Sequence, residues 1–345
     1  MISIKLFGRN DVRIVEESIP EINENQALIK VACAAVCGTD VRSWMYGKDF
    51  VNENSPMTLG HEIAGVVVKK GKNVSQVEEG DRVCYVPCRG CGTCYYCTHG
   101  NTHQCDELIA CGINAKGLMS EYVVADEKFL SQGNVFKIPD EVSFETAALC
   151  EPLSCVYNGF LMLDALPGMT ALVIGAGPIG MMHSMLLINA GIKVLVCEKD
   201  ESRRNKAKKI LKKAVFFEGD NLDKFVKENT DNNGVDIGIT ACPDPNAQTD
   251  ILPLMAKNGR VHFFGGVPKE MQPVCLDTNI IHYKALRVVG STCSNVWQYK
   301  DVLKMAGRGD IDLEKLVTAR FDKHDAMKAF ENAKNLVGFK NIITF

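Results

Sequence analysis

No stretch of this chain approaches the ~18 consecutive apolar residues that a helix needs to cross a bilayer. The amino terminus, Met1 to Asn10, carries Lys5 and Arg9, but no apolar core follows of the kind found in a secretory signal. A basic excess is missing too. The 39 lysines and arginines stand against 42 acidic residues, and the net charge of −3 offers little hold on a nucleic-acid backbone. Internal repeats, low-complexity tracts and long polar linkers are also absent. These absences argue against a membrane or a nucleic acid as partner and lead us to expect a cytoplasmic protein that acts on a small molecule.

Cysteine, by contrast, is plentiful. Fifteen residues, an odd number, fit a reducing compartment better than a disulfide framework. Cys33, Cys84, Cys155, Cys197 and Cys242 sit among apolar neighbours and read as small buried hydrophobes. Cys91, Cys94, Cys97 and Cys105, with gaps of two, two and seven residues, instead have the spacing of short loops that wrap one metal ion. Four thiolates close a tetrahedral zinc shell and leave no position for a substrate, so such a site staples a fold and performs no chemistry. Cys88 stands three residues before Cys91 and offers an alternative register; the later four are preferred because Cys105 would otherwise have no partner.

The 345 residues suffice for two domains. The 46% hydrophobic and 23% charged content is that of a soluble globular protein. Up to about residue 140, short stretches such as Leu28 to Ala34, Ile63 to Val68, Arg82 to Val86 and Glu121 to Ala125 alternate with Gly-, Asn- and Asp-rich turns, which predicts a β-rich domain. From Ser143 the period changes. A helical stretch through Leu161 leads to the apolar run Met169 to Ile174, and further strands are expected at Val194 to Cys197, Ala214 to Phe217, Val235 to Thr240 and Gly259 to Phe264. This alternation of strand and helix predicts a parallel sheet and an α/β chain.

The run to Ile174 is followed by Gly175-Ala176-Gly177-Pro178-Ile179-Gly180 and an apolar helical stretch, Met181 to Ala190. The first glycine allows a tight turn, the second admits a pyrophosphate, and the third lets helix and strand touch. Glu198 stands 18 residues past Gly180, at the end of the next strand, where a carboxylate bonds the ribose hydroxyls and repels a 2′-phosphate. NAD is therefore expected over NADP, although Lys199, Arg203 and Arg204 argue mildly the other way. The cofactor contacts expected are Gly175, Gly177, Pro178, Ile179, Gly180, Glu198, Arg203, Gly266 and Val267.

A second ligand set consists of Cys37-Gly38-Thr39-Asp40, Gly60-His61-Glu62 and Glu151-Pro152-Leu153. One thiolate, one imidazole and one or two carboxylates can hold zinc and still leave an open position. The pattern Gly60-His61-Glu62-x2-Gly65-x5-Gly71-x2-Val74 resembles the signature of the zinc-dependent medium-chain alcohol dehydrogenases, and the cysteine lobe and glycine turn follow in that family's order. Glu151-Pro152-Leu153, His282-Tyr283-Lys284 and Gly290-Ser291-Thr292 resemble the sorbitol (L-iditol) and polyol dehydrogenase branch.

That resemblance implies a GroES-like catalytic domain from residues 1–150 and 294–345, a Rossmann domain over 151–293, and a cleft holding zinc and nicotinamide. It implies Cys37 and His61 as catalytic zinc ligands, Glu62 and Glu151 as alternating or water-mediated ones, Asp40 as the carboxylate orienting His61, and Thr39 as the hydroxyl that passes on the substrate proton. The expected activity is NAD-dependent oxidation of a sugar alcohol to a ketose. Rival substrates are a sugar-alcohol phosphate and a 3-hydroxy amino acid, and a non-catalytic dinucleotide sensor is a rival of another class. Many relatives have a histidine where this chain has Arg42, which cannot shuttle a proton near neutrality; Arg42 serves either a surface salt bridge or an anionic group of cofactor or substrate. Trp44, Tyr46 and Phe50 line a cleft or belong to the core. The strand Ala285 to Val289 resembles the sheet edge through which relatives pair as dimers or tetramers.

Overall fold

The computed structural model describes residues 1–345, which divide into two compact units, Met1–Ser154 with Ser294–Phe345, and Cys155–Cys293. No helix is long and apolar enough to cross a membrane.

The first unit is built on a seven-stranded sheet whose central strand, Ala27–Ala35, is buried along most of its length and pairs antiparallel with both Glu62–Lys70 and the C-terminal strand Lys340–Thr344. Its small and β-branched side chains suit a strand covered on both faces. Two bulges, at Leu28/Ile29 and Val31/Cys33, shift the register so that Ala35 faces Glu62 at one end of the ladder. Ile342 pairs with Ala35 from the other side. Three distant pieces of sequence therefore end together: Cys37 just past Ala35, His61 just before Glu62, and Lys340 at the start of the last strand. Ile4, Leu6, Ile29, Leu59, Ile63, Val67, Phe330 and Ile343 fill the core beneath.

The second unit has a six-stranded, wholly parallel sheet in the order Val215–Phe216, Lys193–Cys197, Thr170–Ile174, Val235–Thr240, Met255–Phe263, Arg287–Gly290. Numbered within the unit this is 3-2-1-4-5-6, the doubly wound order with its switch point beside the first strand. Leu172, Leu195, Val235 and Val261 are buried to about 0% exposure and pack under the crossover helices. GroES-like and Rossmann architecture is thus what the chain has. The strand expected from Gly259 begins earlier, at Met255, because a register irregularity between Val235 and Ile237 lets both arms of the Gly259 region pair with its neighbour.

Candidate functional site

Cys37 caps the helix Gly38–Tyr46, and its thiol, an imidazole nitrogen of His61 and a carboxylate oxygen of Glu62 all lie within 4.8 Å of one another. Asp40 locks the two segments that carry them. Its Oδ2 accepts the Cys37 N–H and its Oδ1 the Gly60 N–H, both at 3.0 Å, and the side chain is fully buried. The same Oδ1 lies 3.8 Å from His61 Nδ1, too far for a hydrogen bond, and Nδ1 is a buried atom with no partner. Gly60 has φ +85°, and a Cβ there would stand 2.7 Å from Met119 Cβ, so the approach to His61 requires glycine. Burial opposes a charged His61 ring, yet the Cys37 and Asp40 charges push its pKa well above the ordinary value. A half-buried thiol, a buried imidazole and a buried carboxylate, their ligand atoms within 4.8 Å of one another, form a donor set that fits zinc.

Glu62 is fully buried, and Lys340, nearly as buried, places Nζ 2.8 Å from its Oε1 and 2.5 Å from its Oε2. The closer oxygen, Oε2, receives no aligned hydrogen bond from Nζ, so the contact there is one of charge. Lys340 also donates to the Val36 carbonyl at 3.2 Å. Burial works against its charge, but Glu62 and Cys37 outweigh it and raise the Lys340 pKa. This cation did not stand out in the sequence, where Lys340 and Asn341 stand as an ordinary polar pair between Phe339 and Ile342.

Glu151 lies in the helix Phe144–Leu161 beside Pro152 and is 8% exposed. It stands outside the 4.8 Å group, although its charge acts on His61. The helix is fastened there by Tyr299, whose hydroxyl donates to the Ala147 carbonyl at 2.7 Å, and by Ser154, whose Oγ meets Ser294 Oγ at 2.6 Å. Thr39 is half-buried, and its Oγ1 accepts a 2.9 Å hydrogen bond from Arg42 Nη2. Trp44 packs edge-on against Phe330, at 6.1 Å between centroids, as part of the core, whereas Tyr46 and Phe50 are exposed.

The thiols of Cys91, Cys94, Cys97 and Cys105 form a separate group, also within 4.8 Å, and Cys88 is not among them. The Cys91–Cys97 and Cys94–Cys105 sulfurs stand 4.0 and 3.7 Å apart. Four sulfurs at a zinc–sulfur distance of ~2.3 Å form a tetrahedron with edges of about 3.8 Å, so the lobe is already shaped for the ion. Backbone N–H groups of Thr93 and Cys94 point at Cys91 Sγ, and these bonds, Thr93 foremost, lower the Cys91 pKa to about 6.

In the second unit the turn after Thr170–Ile174 has Gly175 at φ +100° and Gly177 as cap of the helix Pro178–Asn189. A Cβ on Gly180 would meet the Gly175 carbonyl at 1.8 Å, whereas one on Gly177 would meet nothing within 4 Å. Helix and strand touch at the third glycine, and the second faces open space, the arrangement a pyrophosphate needs. Glu198 Oε2 accepts the Ala176 N–H at 2.8 Å and Oε1 the Asp200 N–H at 2.9 Å, so the carboxylate braces the glycine turn. Arg203 lies 3.5 Å from Glu198 Oε2, and Arg204 donates to the Glu198 carbonyl at 2.8 Å. Gly266 is exposed and Val267 half-buried past the end of the strand Met255–Phe263, whose last residue pairs with Thr240 as Thr240 pairs with Ile174. Pro178 opens the helix at a position where its missing N–H costs nothing, and Ile179 follows it half-buried. Of the cysteines expected in cores, Cys33 and Cys84 are buried, while Cys155, Cys197 and Cys242 are only half-buried.

Residues 23–140 match the alcohol dehydrogenase GroES-like domain family, and residues 178–308 the zinc-binding dehydrogenase family. The L-threonine 3-dehydrogenase of Escherichia coli K12 is 31% identical over 99% of this chain and 98% of its own. A structure described as a short chain alcohol dehydrogenase (rspB) from E. coli CFT073, complexed with NADH, superposes with TM-score 0.89 at 27% identity, covering 100% of this chain and 99% of that one. The 2R,3R-butanediol dehydrogenase of Bacillus subtilis gives 0.88 at 25% identity and the same coverage. The curated relative is a threonine dehydrogenase, so similarity establishes the family and not its polyol branch. With an open donor set at Cys37 and His61, a closed four-cysteine lobe and a dinucleotide turn, this chain belongs to the zinc-binding alcohol dehydrogenase family of oxidoreductases.

Proposed function

We propose that the protein is an NAD-dependent, zinc-dependent dehydrogenase that oxidises the secondary alcohol of a small polar substrate, a sugar alcohol in the first reading, to a ketone. The observation that carries the reading is the open set Cys37, His61 and Glu62, each of which brings one ligand atom to within 4.8 Å of the others. Cys37, His61 and a carboxylate, Glu62 or Glu151, would hold the catalytic ion, and Cys91, Cys94, Cys97 and Cys105 the structural one. When bound, zinc supplies a Lewis acid that acidifies the substrate hydroxyl, and the nicotinamide accepts the hydride. The residues of this chain do the positioning. Asp40 fixes the segments that bear Cys37 and His61, and Lys340 balances the charge of Glu62. Thr39 offers a hydroxyl that takes the substrate proton. Arg42, having only donors, cannot receive it, so the proton passes from Thr39 to water or to the cofactor ribose. A non-catalytic sensor would have no use for this set.

For the cofactor, Glu198 has spare lone pairs for two ribose hydroxyls, and Arg203 and Arg204 are already engaged with it, which favours NAD over NADP. The exposed edge strand Arg287–Gly290, with Val288 at 40% exposure, is where a second copy would extend the sheet into a homodimer.

The 31% identity to a threonine dehydrogenase over nearly the whole chain favours, as a second reading, a 3-hydroxy amino acid as substrate. NADH formation across a panel of sorbitol and other polyols, their phosphates and L-threonine, with NAD and NADP in parallel, tests both. The first reading expects the highest kcat/KM with a polyol and NAD. L-Threonine far ahead of every polyol would replace it with the second, and a preference for NADP would defeat the role given to Glu198.

A further inference from the structure

Arg42 and Lys48 are two cations that the chemistry just described does not use. Arg42 sits one turn into the helix Gly38–Tyr46, and its guanidinium folds back over the first turn: Nη2 donates to Thr39 Oγ1 at 2.9 Å, and a Cβ on Gly38 would lie 3.7 Å from Nη1. It is exposed and makes no ion pair with any carboxylate. The surface salt bridge considered for it is therefore absent. Lys48, just beyond the same helix, is half-buried; its Nζ donates to the Ile113 carbonyl at 2.8 Å and it too has no ion pair. Burial and, against the pull of Asp40, the like charge of Arg42 lower the Lys48 pKa. Of the carboxylates nearby, Asp40 is committed to the Cys37 and Gly60 N–H groups and Glu62 to Lys340, while the exposed Asp49 makes no ion pair with either cation. Arg42 thus adjoins the hydroxyl that handles the substrate proton, in the first turns of the helix that begins at Cys37, and Lys48, past the other end of that helix, lies close enough to feel its charge.

We propose that Arg42 and Lys48 form an oxyanion subsite, and that the alcohol this enzyme oxidises carries a carboxylate or phosphate that docks there. The inference rests on the dehydrogenase reading and narrows its substrate class. Nη2 keeps Thr39 in place with one of its hydrogens, and its other hydrogen together with Nη1 or Nε remains available for a two-pronged contact with the anion. The reaction balances as the family's does: the carbinol carbon loses a hydride to NAD and the hydroxyl a proton, giving ketone, NADH and H⁺, with the anion as spectator and anchor. A pyrophosphate of the cofactor has the same chemistry, and the experiment separates the two sources.

The zinc-loaded protein is assayed with matched pairs, 2,3-butanediol against 3-hydroxybutyrate and sorbitol against sorbitol 6-phosphate, in wild type, Arg42→Gln, Arg42→Lys and Lys48→Met. Wild type should favour the anionic member of at least one pair. Arg42→Gln should lower that anionic-to-neutral ratio of kcat/KM by about 10- to 100-fold, Lys48→Met by less, and Arg42→Lys should recover part of it. An unchanged ratio overturns the proposal. So does an unchanged ratio accompanied by a weakened Kd for NADH, which would assign Arg42 to the cofactor. Calorimetric titration of the NADH complex with inorganic phosphate needs no turnover: weaker binding in Arg42→Gln supports the subsite even if every alcohol fails as substrate, in which case it is the dehydrogenase reading that falls.

Discussion

Asp40 accepts one backbone N–H on each carboxylate oxygen, and that demand cannot be met by its amide analogue. In Asp40→Asn the NH2 group must face either the Cys37 or the Gly60 N–H, donor against donor. We expect a loss of about 1–3 kcal/mol in stability and a zinc affinity lowered roughly 10- to 100-fold at the catalytic site. Wild-type stability and zinc content in that variant would show that the segments hold themselves. Lys340 makes a different demand, for charge. Truncating one partner of a buried ion pair costs about 3–5 kcal/mol, so Lys340→Met should be strongly destabilised when zinc is stripped and much less so when it is bound, because the metal then offsets the Glu62 charge. Urea unfolding with and without zinc measures the difference; equal losses in both states would contradict the placement of Glu62 beside the ion. Cys37, His61 and Asp40 could be picked out from their motifs, since residue type and spacing express ligand chemistry directly. Lys340 could not, because its partner lies 278 positions away and only the strand register brings them together.

At the scale of the element, the glycine turn separates two roles that one motif merges. Gly180 has no space for a methyl group because the Gly175 carbonyl occupies it, whereas Gly177 opens onto space. Gly180→Ala should therefore destabilise the protein by roughly 1–3 kcal/mol through overpacking. Gly177→Ala should fold normally and weaken NADH binding at least about tenfold. Thermal melts and fluorescence titration distinguish them, and equal melts for the two variants would refute the assignment. Strands such as Val235–Thr240 and Ala27–Ala35 are readable in the sequence because a buried strand needs a run of apolar or small residues. Strand order and bulges are not, since pairing depends on partners far along the chain. The four-cysteine lobe is a local element in the same sense: its spacing is short enough to be decisive, and its observed sulfur separations match a zinc tetrahedron.

The molecule as a whole carries a charge-linked vulnerability away from its chemistry. His183 and His262 are buried in the second unit with ring centroids 5.5 Å apart, each keeping one ring nitrogen without a partner, and His262 Nε2 meets Ser291 Oγ at 2.9 Å. Burial depresses both pKa values, that of His262 from 6.5 to about 4. The unfolded chain then binds protons that the folded one refuses, so stability is lost as pH falls from the unfolded value toward 4. His262 alone contributes about 2 kcal/mol of loss between pH 6.5 and 5. His262→Gln should flatten that slope in denaturant titrations, and an identical slope would place the acid sensitivity elsewhere.

The central claim is that an open zinc site at Cys37 and His61 drives oxidation of an alcohol by NAD, while the closed cysteine lobe only holds shape. Zinc per chain and alcohol-dependent NADH formation, measured together on wild type and Cys37→Ser, test it most directly. The account predicts two zinc ions and turnover in the wild type, against one zinc ion, turnover reduced about a thousandfold or more, and retained NADH binding in the variant. Undiminished turnover in Cys37→Ser would contradict it.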